Sequence, residues 1–283
     1  MAEQARTCVI TGCNTGIGKE TAIGMVKMGY DLVMLVRESE KSDLALEAIR
    51  RETEANTVRL CPVDLSCQES IRAVAESLSS ELARIDVLIN NAGLLKRSRQ
   101  LSADGIEMTL AANFVAPFLL TNLLLPLLKK GDSSRIVNLS SELYKNGAFA
   151  QIESADEVKF NGNKAYADSK LMLMLFTNEL ARRLRPDGIV ANAIHPGVAG
   201  TESFREYPKW FNFILNRFIP KPRVAAEPVI RLATDRSLSG TSGTYFYKKV
   251  PRQTTGLAGD VDLQKEAWSL AAELTGLSVS EAG

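Results

Sequence analysis

Short apolar segments rich in β-branched residues alternate with longer amphipathic segments along most of the 283-residue chain. Such alternation, with short connections, is typical of a parallel sheet whose crossovers are right-handed and whose two faces are covered by helices. The sequence therefore predicts an α/β fold with a doubly wound parallel sheet, formed by a single domain over residues 1–283. Strands are predicted near 7–11, 31–36, 57–61, 86–90, 135–140, 189–194 and 244–247, and helices near 17–28, 41–54, 68–83, 104–129, 164–184, 225–234 and 263–275.

A glycine-rich turn joins the first predicted strand to the first predicted helix. Its glycines, Gly12, Gly16 and Gly18, follow the pattern Gly-x-x-x-Gly-x-Gly. Glycine allows a tight turn and a close approach to a diphosphate, whose charge the N-terminus of the following helix favours. The turn is therefore a candidate dinucleotide-binding loop, although its spacing differs from the common Gly-x-Gly-x-x-Gly. The alternative is a closely packed strand-to-helix turn that binds no ligand.

Tyr166 and Lys170 lie four residues apart at the start of a predicted helix. Residues at positions i and i+4 of a helix share one face, so the phenol and the ammonium can meet. A nearby cation favours the phenolate, which predicts a lowered pKa for Tyr166 and a role as a general acid or base. By itself the pair is weak evidence, because this spacing also arises by chance on exposed helices.

Three further segments follow predicted strands and therefore converge on the carboxyl edge of the sheet. They are Asn90–Gly93, Ser140–Ser141 and Pro196–Gly197. Together with the glycine turn and the tyrosine–lysine pair, these ordered motifs resemble those of the short-chain dehydrogenase/reductase family along most of the chain. The glycine turn and residues 176–184 resemble the retinol dehydrogenase-like branch more closely than the carbonyl reductase branch.

The resemblance implies a Rossmann-type fold, a nicotinamide cofactor and four catalytic residues. Ser141 would hydrogen-bond the reacting oxygen, Tyr166 would donate a proton to it, and Lys170 would lower the pKa of the phenol and bind the nicotinamide ribose. Asn113 matches an asparagine that supports a proton-relay water, but from the residues alone it could equally be a packing group. Of the two serines, Ser141 is the predicted catalytic residue and Ser140 the predicted packing residue. The predicted cofactor-binding residues are Gly12, Asn14, Thr15, Gly16, Ile17, Gly18, Arg37, Asp64, Leu65, Asn91, Ala92, Gly93, Tyr166, Lys170, Pro196, Gly197, Val198 and Thr201.

The end of the second predicted strand indicates which dinucleotide is preferred. NAD-binding folds place a carboxylate there for the adenosine ribose, whereas this chain has apolar Val36 followed by Arg37. A guanidinium suits a 2′-phosphate, to which it can make paired hydrogen bonds. Asn14 can add a polar contact, and Glu38 is expected to point away, so the predicted cofactor is NADP(H). Asp64 matches a family position beside the adenine ring, or alternatively caps the helix that follows it.

Two regions differ from the family pattern. Ser141 and Tyr166 are 25 residues apart, which is longer than usual and leaves an insertion around residues 147–163. Ala116 and Pro117 replace a glycine-containing helical turn of the retinol dehydrogenase-like branch, so the packing of this turn cannot be read from the resemblance.

A segment near residues 201–223 is rich in aromatic side chains, and the resemblance implies that it forms a lid over the substrate. An aromatic lid favours a bulky apolar ligand, because such pockets gain chiefly from buried apolar area. The predicted partner is therefore a lipophilic small-molecule substrate. Alternatively, these rings pack a helical hairpin onto the body or form an oligomer contact. The aromatic residues are Phe204, Tyr207, Trp210, Phe211, Phe213 and Phe218.

Composition and charge argue against several other kinds of function. The formal net charge is +1, so no general attraction to nucleic acid is expected. The four cysteines lack Cys-x-x-Cys spacing and His195 is the only histidine, so neither a metal site nor a serine-hydrolase triad is expected. The longest apolar tract, residues 114–128, contains two prolines and is interpreted as a buried helix, shorter than the ~20 residues of a membrane span. The chain is expected to be cytoplasmic, without a membrane span, and either a monomer or a homodimer.

The preferred function is that of an NADPH-dependent oxidoreductase that transfers hydride between the nicotinamide and a carbonyl or alcohol of a lipophilic small molecule. An alternative is a dedicated biosynthetic reductase that acts on the ketone or imine of a natural-product intermediate. A non-catalytic NADP(H) sensor is disfavoured, because degenerate relatives usually lose the tyrosine or the lysine and this chain retains both.

Overall fold

The computed structural model describes residues 5–149, 160–197 and 221–278, and its centre is one eight-stranded sheet. The strands are β1 (Arg6–Thr11), β2 (Tyr30–Val36), β3 (Val58–Pro62), β4 (Val87–Asn90), β5 (Arg135–Leu139), β6 (Val190–His195), β7 (Tyr245–Tyr247) and β8 (Val250–Arg252). They lie in the order β3-β2-β1-β4-β5-β6-β7-β8, and every neighbouring pair is parallel except β7–β8. The carboxyl ends of the parallel strands therefore share one edge.

Helices cover both faces of the sheet, which confirms the predicted doubly wound α/β fold. They are α1 (Gly16–Lys27), α2 (Glu40–Thr53), α3 (Gln68–Glu81), α4 (Met108–Leu128), α5 (Gly162–Arg183), α6 (Pro222–Thr234) and α7 (Val261–Thr275). One core layer joins the sheet to α1, α2 and α6, and the other joins it to α3, α4, α5 and α7. The predicted strands and helices all occur, with bounds that differ by a few residues.

The central strands β1, β2, β4, β5 and β6 are mostly apolar because both of their faces are buried. In β1, Cys8 and Ile10 pack in the layer of α1, while Val9 between them packs in the layer of α4. Successive side chains of a strand point to opposite faces, so a strand between two helical layers needs apolar residues at every position.

Strand β8 is not predicted by the sequence. It pairs with β7 through a two-residue turn of Lys248 and Lys249, and Lys248 has a φ of 54°. Turns of this kind favour asparagine or glycine, which tolerate positive φ at little cost. The strand itself contains Pro251 and is exposed along its length. The segment thus carries neither a turn signal nor a buried apolar pattern.

Helix α4 changes its winding where the sequence departs from the family pattern. A π-helical turn over Ala111–Val115 separates two regular segments, Met108–Leu110 and Ala116–Leu128. Pro117 has no N–H to donate to the carbonyl of Asn113, four residues earlier, which accounts for the wider turn. The turn carries Asn113, one of the predicted catalytic residues.

Helix α4 is also longer than the apolar tract expected from the sequence. By length and composition its 21 residues would suffice to cross a bilayer, contrary to the expectation that no tract is long enough. Within the fold, however, 89% of its most apolar stretch is buried. The helix therefore belongs to the protein core, as the sequence interpretation held.

Trp268 holds the C-terminal helix α7 against α4 and α5. Its ring is fully buried, and its centroid lies 5.0 Å from that of Phe118 and 5.8 Å from that of Phe176. The guanidinium carbon of Arg183 lies 4.2 Å from the indole centroid. Aromatic pairs and a cation over an indole each add stabilisation beyond the buried area.

We expect Trp268→Ala to lower the free energy of unfolding by about 3–5 kcal/mol, because it removes a large buried ring and leaves a cavity. Urea denaturation followed by circular dichroism would measure the change. Val261→Ala, at an exposed position of the same helix, is the matched control and should alter stability by less than about 0.5 kcal/mol. Equal effects of the two substitutions would contradict the anchoring role of Trp268.

Candidate active site

The glycine turn after β1 packs directly against the chain that leaves β4. Gly12 has a φ of 63°, and a Cβ on it would lie 2.9 Å from the Cα of Ala92. A Cβ on Gly18 would lie 2.4 Å from Nδ2 of Asn91 and 2.6 Å from the carbonyl oxygen of Gly12. Neither position can accept a side chain without moving the backbone. The close packing that the sequence left as an alternative is therefore real, and it shapes the predicted loop.

The turn presents the N-terminus of α1 without any side-chain cap. Thr15 is the N-cap residue, but its side chain makes no capping hydrogen bond, and the first turn of the helix contains no acidic residue. The first backbone N–H groups of a helix have no partner within the helix, and they carry partial positive charge. Gly16, Ile17 and Gly18 lie in this first turn. Such an end is suited to a phosphate group.

Thr11 and Asn91 join the turn to the end of β4. The Thr11 hydroxyl accepts hydrogen bonds from the backbone N–H groups of Asn91 and Ala92, both at 3.0 Å. In return, the Asn91 amide donates to the carbonyl oxygens of Thr11 at 2.8 Å and Gly12 at 3.0 Å. Asn91 is thus a scaffold of the loop. Thr11 was absent from the predicted site, although its place directly before the first glycine is a usable signal.

The turn is also connected to the end of β2. Asn14 Nδ2 donates to the hydroxyl of Ser42 at 3.0 Å, and this hydroxyl donates to the carbonyl oxygen of Arg37 at 2.7 Å. Ser42 is fully buried on α2, and the sequence gave no sign of its role. The side chain of Arg37 is exposed and forms no hydrogen bond or ion pair with the described part of the chain. Through Ser42, the structure therefore connects Asn14 with Arg37, the two residues predicted to determine the cofactor preference.

Asp64 does not cap the helix that follows β3, so that sequence alternative is wrong. Its carboxylate accepts from the backbone N–H of Ser66 at 2.9 Å and from the Ser66 hydroxyl at 2.7 Å, which forms a local turn. The N-cap residue of α3 is Cys67, and the N–H of Gln68 instead donates to Asp104 at 3.0 Å. Asp64 is exposed and the adjacent Leu65 is half-buried, at the same edge of the sheet.

Lys170 and Asn113 meet behind Gly93. A Cβ on Gly93 would lie 3.3 Å from both the Lys170 ammonium and the Asn113 side-chain oxygen. The ammonium donates to the carbonyl oxygen of Leu139 at 2.8 Å, and Lys170 is only 3% exposed. Burial disfavours the charged form and lowers the pKa of Lys170 to about 8.

The Asn113 side chain holds the loop that follows β4. Its oxygen accepts from the N–H of Leu94 at 2.8 Å, and its amide donates to the carbonyl oxygen of Leu94 at 2.9 Å. The amide also donates to the Ser169 hydroxyl at 3.0 Å, and that hydroxyl donates to the carbonyl oxygen of Tyr166. Asn113 is completely buried. Its side chain thus links β4, α4 and α5, which is the packing role that the sequence kept open.

Tyr166 and Ser141 are neighbours at the carboxyl edge of the sheet, near enough for the Ser141 hydroxyl to lower the pKa of the phenol. Burial raises the pKa of Tyr166, the hydrogen bond with Ser141 lowers it, and the net shift is upward. The expectation that Lys170 lowers this pKa is therefore wrong for the structure described. The Lys170 ammonium lies 5.5 Å from the ring centroid and is bonded to the Leu139 carbonyl instead. The i, i+4 spacing brings the pair together but does not set the direction of the shift.

The two serines after β5 differ in burial and in their hydrogen-bond partners. The Ser141 hydroxyl accepts from the N–H of Leu143 at 3.3 Å, which begins a short 3-10 helix over Glu142–Asn146. Ser140 is buried, and its hydroxyl has no hydrogen-bond partner among the described residues. Of the two serines, Ser141 is the one that lowers the pKa of Tyr166.

The remaining predicted positions follow β6. Pro196 and Gly197 leave the strand at the same edge, and Gly197 has a φ of 104°. Val198, Thr201 and most of the predicted lid, residues 201–220, lie outside the described residues. In the described part of the chain, no three histidine, cysteine or acidic side chains gather as metal ligands would.

Comparison with known proteins identifies the protein family to which this site belongs. The doubly wound sheet carries a serine–tyrosine pair and a buried lysine at its carboxyl edge, an arrangement that the sequence motifs predicted for an oxidoreductase. The family model of short chain dehydrogenases matches residues 6–212, and the chain belongs to this family. The resemblance argued from the sequence motifs is thereby confirmed.

Curated relatives come from the retinol dehydrogenase branch. The chain is 37% identical to retinol dehydrogenase 13 of Mus musculus over 287 residues, covering 97% of this chain and 85% of the relative. It is 35% identical to retinol dehydrogenase 11 of Homo sapiens over 276 residues, covering 97% and 87%.

Solved structures share the fold. A protein from Mycobacterium paratuberculosis, 29% identical, matches with a TM-score of 0.75 over 96% of this chain and 93% of its own. A short chain dehydrogenase from Shigella flexneri complexed with NADP, 24% identical, matches with a TM-score of 0.71 over 87% and 97%.

The lowered pKa of Lys170 predicts how the stability of the protein depends on pH. Between pH 8 and 10.5 the unfolded lysine is protonated while the folded one is neutral, so the unfolded state binds more protons and stability rises with pH. Wild type should therefore gain stability relative to Lys170→Met as pH rises from 8 to 10.5. Chemical denaturation of both proteins at several pH values would measure the difference in their free energies of unfolding. Groups that titrate in the same way in both proteins cancel from this difference.

Lys27→Met, at a half-exposed lysine, is the control for this measurement. Its difference from wild type should stay nearly constant over the same range. A constant difference for Lys170→Met as well would show that the burial of Lys170 does not shift its pKa.

Proposed function

We propose that the protein is an NADP(H)-dependent oxidoreductase that reduces the carbonyl of a lipophilic aldehyde or ketone, or oxidises the matching alcohol. The observation that carries the proposal is the placement of Ser141 next to Tyr166 and beside the buried Lys170. This group lies at the same sheet edge as the uncapped N-terminus of α1. Ligands of such sheets bind beyond the carboxyl ends of the strands.

The described residues fit a nicotinamide dinucleotide. Gly12 and Gly18 form a cradle that a Cβ would fill, and α1 offers free N–H groups for the diphosphate. Gly93 places no side chain against the Lys170 ammonium, from which a Cβ would lie 3.3 Å, and by family resemblance this ammonium would hold the nicotinamide ribose hydroxyls. A bound nicotinamide supplies hydride exchange with the substrate carbon.

Tyr166 acts as the proton donor in this proposal. Its raised pKa keeps the phenol protonated at neutral pH, which suits donation to the alkoxide that develops as a carbonyl is reduced. Ser141 would hydrogen-bond the same oxygen and stabilise its developing charge. In the oxidation direction the phenol must first lose its proton.

The preference for NADP(H) rests on the end of β2. Val36 is buried and offers no carboxylate for a ribose, whereas Arg37 is exposed beside the Asn14–Ser42 contact. A guanidinium can bind a 2′-phosphate through paired hydrogen bonds. Structural relatives from Shigella flexneri and Escherichia coli are complexes with NADP and NADPH, which agrees with this choice.

The lipophilic substrate class is supported by the retinol dehydrogenase relatives and by Leu143. Leu143 is 43% exposed and lies on the 3-10 helix Glu142–Asn146, whose N-cap residue is Ser141. An exposed leucine two residues from the reacting hydroxyl offers apolar surface to a substrate. The predicted aromatic lid would extend that surface.

Arg37→Ala tests the cofactor preference. Loss of charge-assisted hydrogen bonds to a phosphate should weaken NADPH binding by about 10- to 100-fold and leave NADH binding nearly unchanged. Fluorescence titration with each cofactor measures both affinities. Arg51→Ala, at an exposed arginine of α2, is the control. If the ratio of the two affinities is unchanged in Arg37→Ala, the assignment to NADP(H) is wrong.

Tyr166→Phe tests the reaction. NADPH consumption is followed with a panel of aromatic, long-chain and polycyclic aldehydes and ketones, and turnover should fall to near background in the variant while NADPH still binds. Tyr30→Phe, whose hydroxyl lies at the other end of the sheet near Arg6, should retain activity. Wild type that binds NADPH tightly but reduces no carbonyl would favour a dedicated biosynthetic substrate or a sensor.

A further inference from the structure

The chain between the catalytic serine and α5 is fixed at both of its ends. At the start, the N–H of Ser140 donates to the carbonyl oxygen of Ile194 at 2.8 Å, which ties the segment to β6. At the far end, the N–H of Ala148 donates to the carboxylate of Asp168 at 2.6 Å. We define this stretch, residues 141–148, as the serine loop. Among the hydrogen bonds of the described residues, the bond at Ala148 is the only one that joins a side chain of α5 to the backbone of the serine loop.

Asp168 lies within the Tyr166–Lys170 spacing but faces a different direction. It is two residues from each of them, and residues two apart do not share a helix face. Its side chain is buried and also forms an ion pair with Lys164, one helical turn earlier. A buried carboxylate is costly unless it is paired and hydrogen-bonded, and both conditions are met here.

Gly147 shows how closely the serine loop lies on α5. A Cβ on Gly147 would lie 2.6 Å from the carbonyl oxygen of Ala167 and 2.7 Å from the Cβ of Leu171. The backbone therefore touches the helix directly, one residue before the bond to Asp168. The contact at Gly147 does not involve the Asp168 carboxylate. Like the bond at Ala148, it fixes the distance between the serine loop and α5.

Two backbone hydrogen bonds within the serine loop connect the end that is attached to α5 with Ser141. The N–H of Gly147 donates to the carbonyl oxygen of Tyr144 at 3.0 Å, and the N–H of Tyr144 donates to that of Ser141 at 3.0 Å. Tyr144 is fully buried, so the 3-10 helix between them has little room to shift. A displacement at Ala148 is therefore passed on to Ser141.

We propose that Asp168 is a positioning residue, which holds the serine loop on α5 so that the Ser141 hydroxyl stays beside the Tyr166 phenol. The proposal rests on the proposed function, since Ser141 and Tyr166 matter to turnover only in an oxidoreductase. Asp168 itself touches neither residue of the pair. It acts through the Ala148 N–H and the backbone that connects it to Ser141.

The test compares Asp168→Ala, Asp168→Asn and Lys164→Met in steady-state kinetics. Asp168→Ala removes the acceptor for the Ala148 N–H and should lower kcat by about 10-fold, the worth of a strong hydrogen bond, with the cofactor KM nearly unchanged. Asp168→Asn keeps an oxygen acceptor and Lys164→Met removes only the ion pair, so both should retain most of the activity. Equal losses in all three variants would overturn the role of the backbone contact.

A double-mutant cycle with Ser141→Ala separates positioning from general destabilisation. Because Asp168 acts through Ser141, Asp168→Ala should cause no further loss of kcat once the hydroxyl is gone. The rise of alcohol oxidation with pH should also move to higher pH in Asp168→Ala, since the hydrogen bond from Ser141 lowers the pKa of Tyr166. Additive losses, or an unmoved pH profile, would overturn the proposal.

Gly147→Ala provides a second route if Asp168→Ala folds poorly. The added methyl would push the serine loop away from α5, so the same pH shift and the same non-additivity with Ser141→Ala are expected. Asp86→Ala is the matched control: Asp86 is buried, accepts from the N–H of Thr7 at 2.8 Å and pairs with Arg84 at the other end of the sheet. It should lower stability without moving the pH profile.

Wild-type behaviour distinguishes the two proposals. Wild type that turns over no substrate would overturn the proposed function, and with it the role given to Asp168. Active wild type with additive losses would overturn the role of Asp168 alone.

Discussion

The close contact between the glycine turn and the end of β4 is the constraint on which the site depends. The sheet order reverses between β1 and β4, and ligands of such sheets bind in the crevice at this reversal. Here Gly12 approaches Ala92 so closely that no Cβ fits, and Asn91 bonds to the carbonyl of the turn. The contact sets where the N-terminus of α1 points, and it places the loop containing Gly93 opposite. A side chain at Gly12 would separate the two walls of the crevice.

Burial determines how the proposed catalytic side chains, Tyr166 and Lys170, can work. It raises the pKa of Tyr166 and lowers that of Lys170, so both groups are shifted towards their neutral forms. The one contact that lowers the pKa of Tyr166 is the hydrogen bond with Ser141. Its strength depends on where the serine loop lies on α5, and thus on the Ala148 contact with Asp168. Reactivity at the sheet edge is therefore coupled to packing on the far side of the same helix.

Much of the fold and of the site could be predicted because each signal is local or follows from parallel geometry. An apolar run between turn residues marks a strand buried on both faces, and the carboxyl ends of parallel strands meet at one edge. The glycine turn, Asn91, Ser141 and Pro196 are placed together on that basis, whereas the tyrosine–lysine pair joins them only through the family resemblance. Strand β8 could not be predicted, because its lysine turn and exposed Pro251 lack the usual signals. Nor could the partners of Asp64, since an aspartate suits a local turn and a helix cap equally well.

The sequence by itself determined the order of strands and helices, the positions where only glycine fits, and which side chains stand at strand ends. These features depend on residue type and on short, regular spacing. Only the tertiary structure decided that the Asn113 amide holds the Leu94 backbone and that Asp168 binds the serine loop. It also decided the direction of the Tyr166 pKa shift. Spacing along a helix says which groups can meet, but a pKa depends on how much water the surrounding elements exclude, and those elements come from distant parts of the chain.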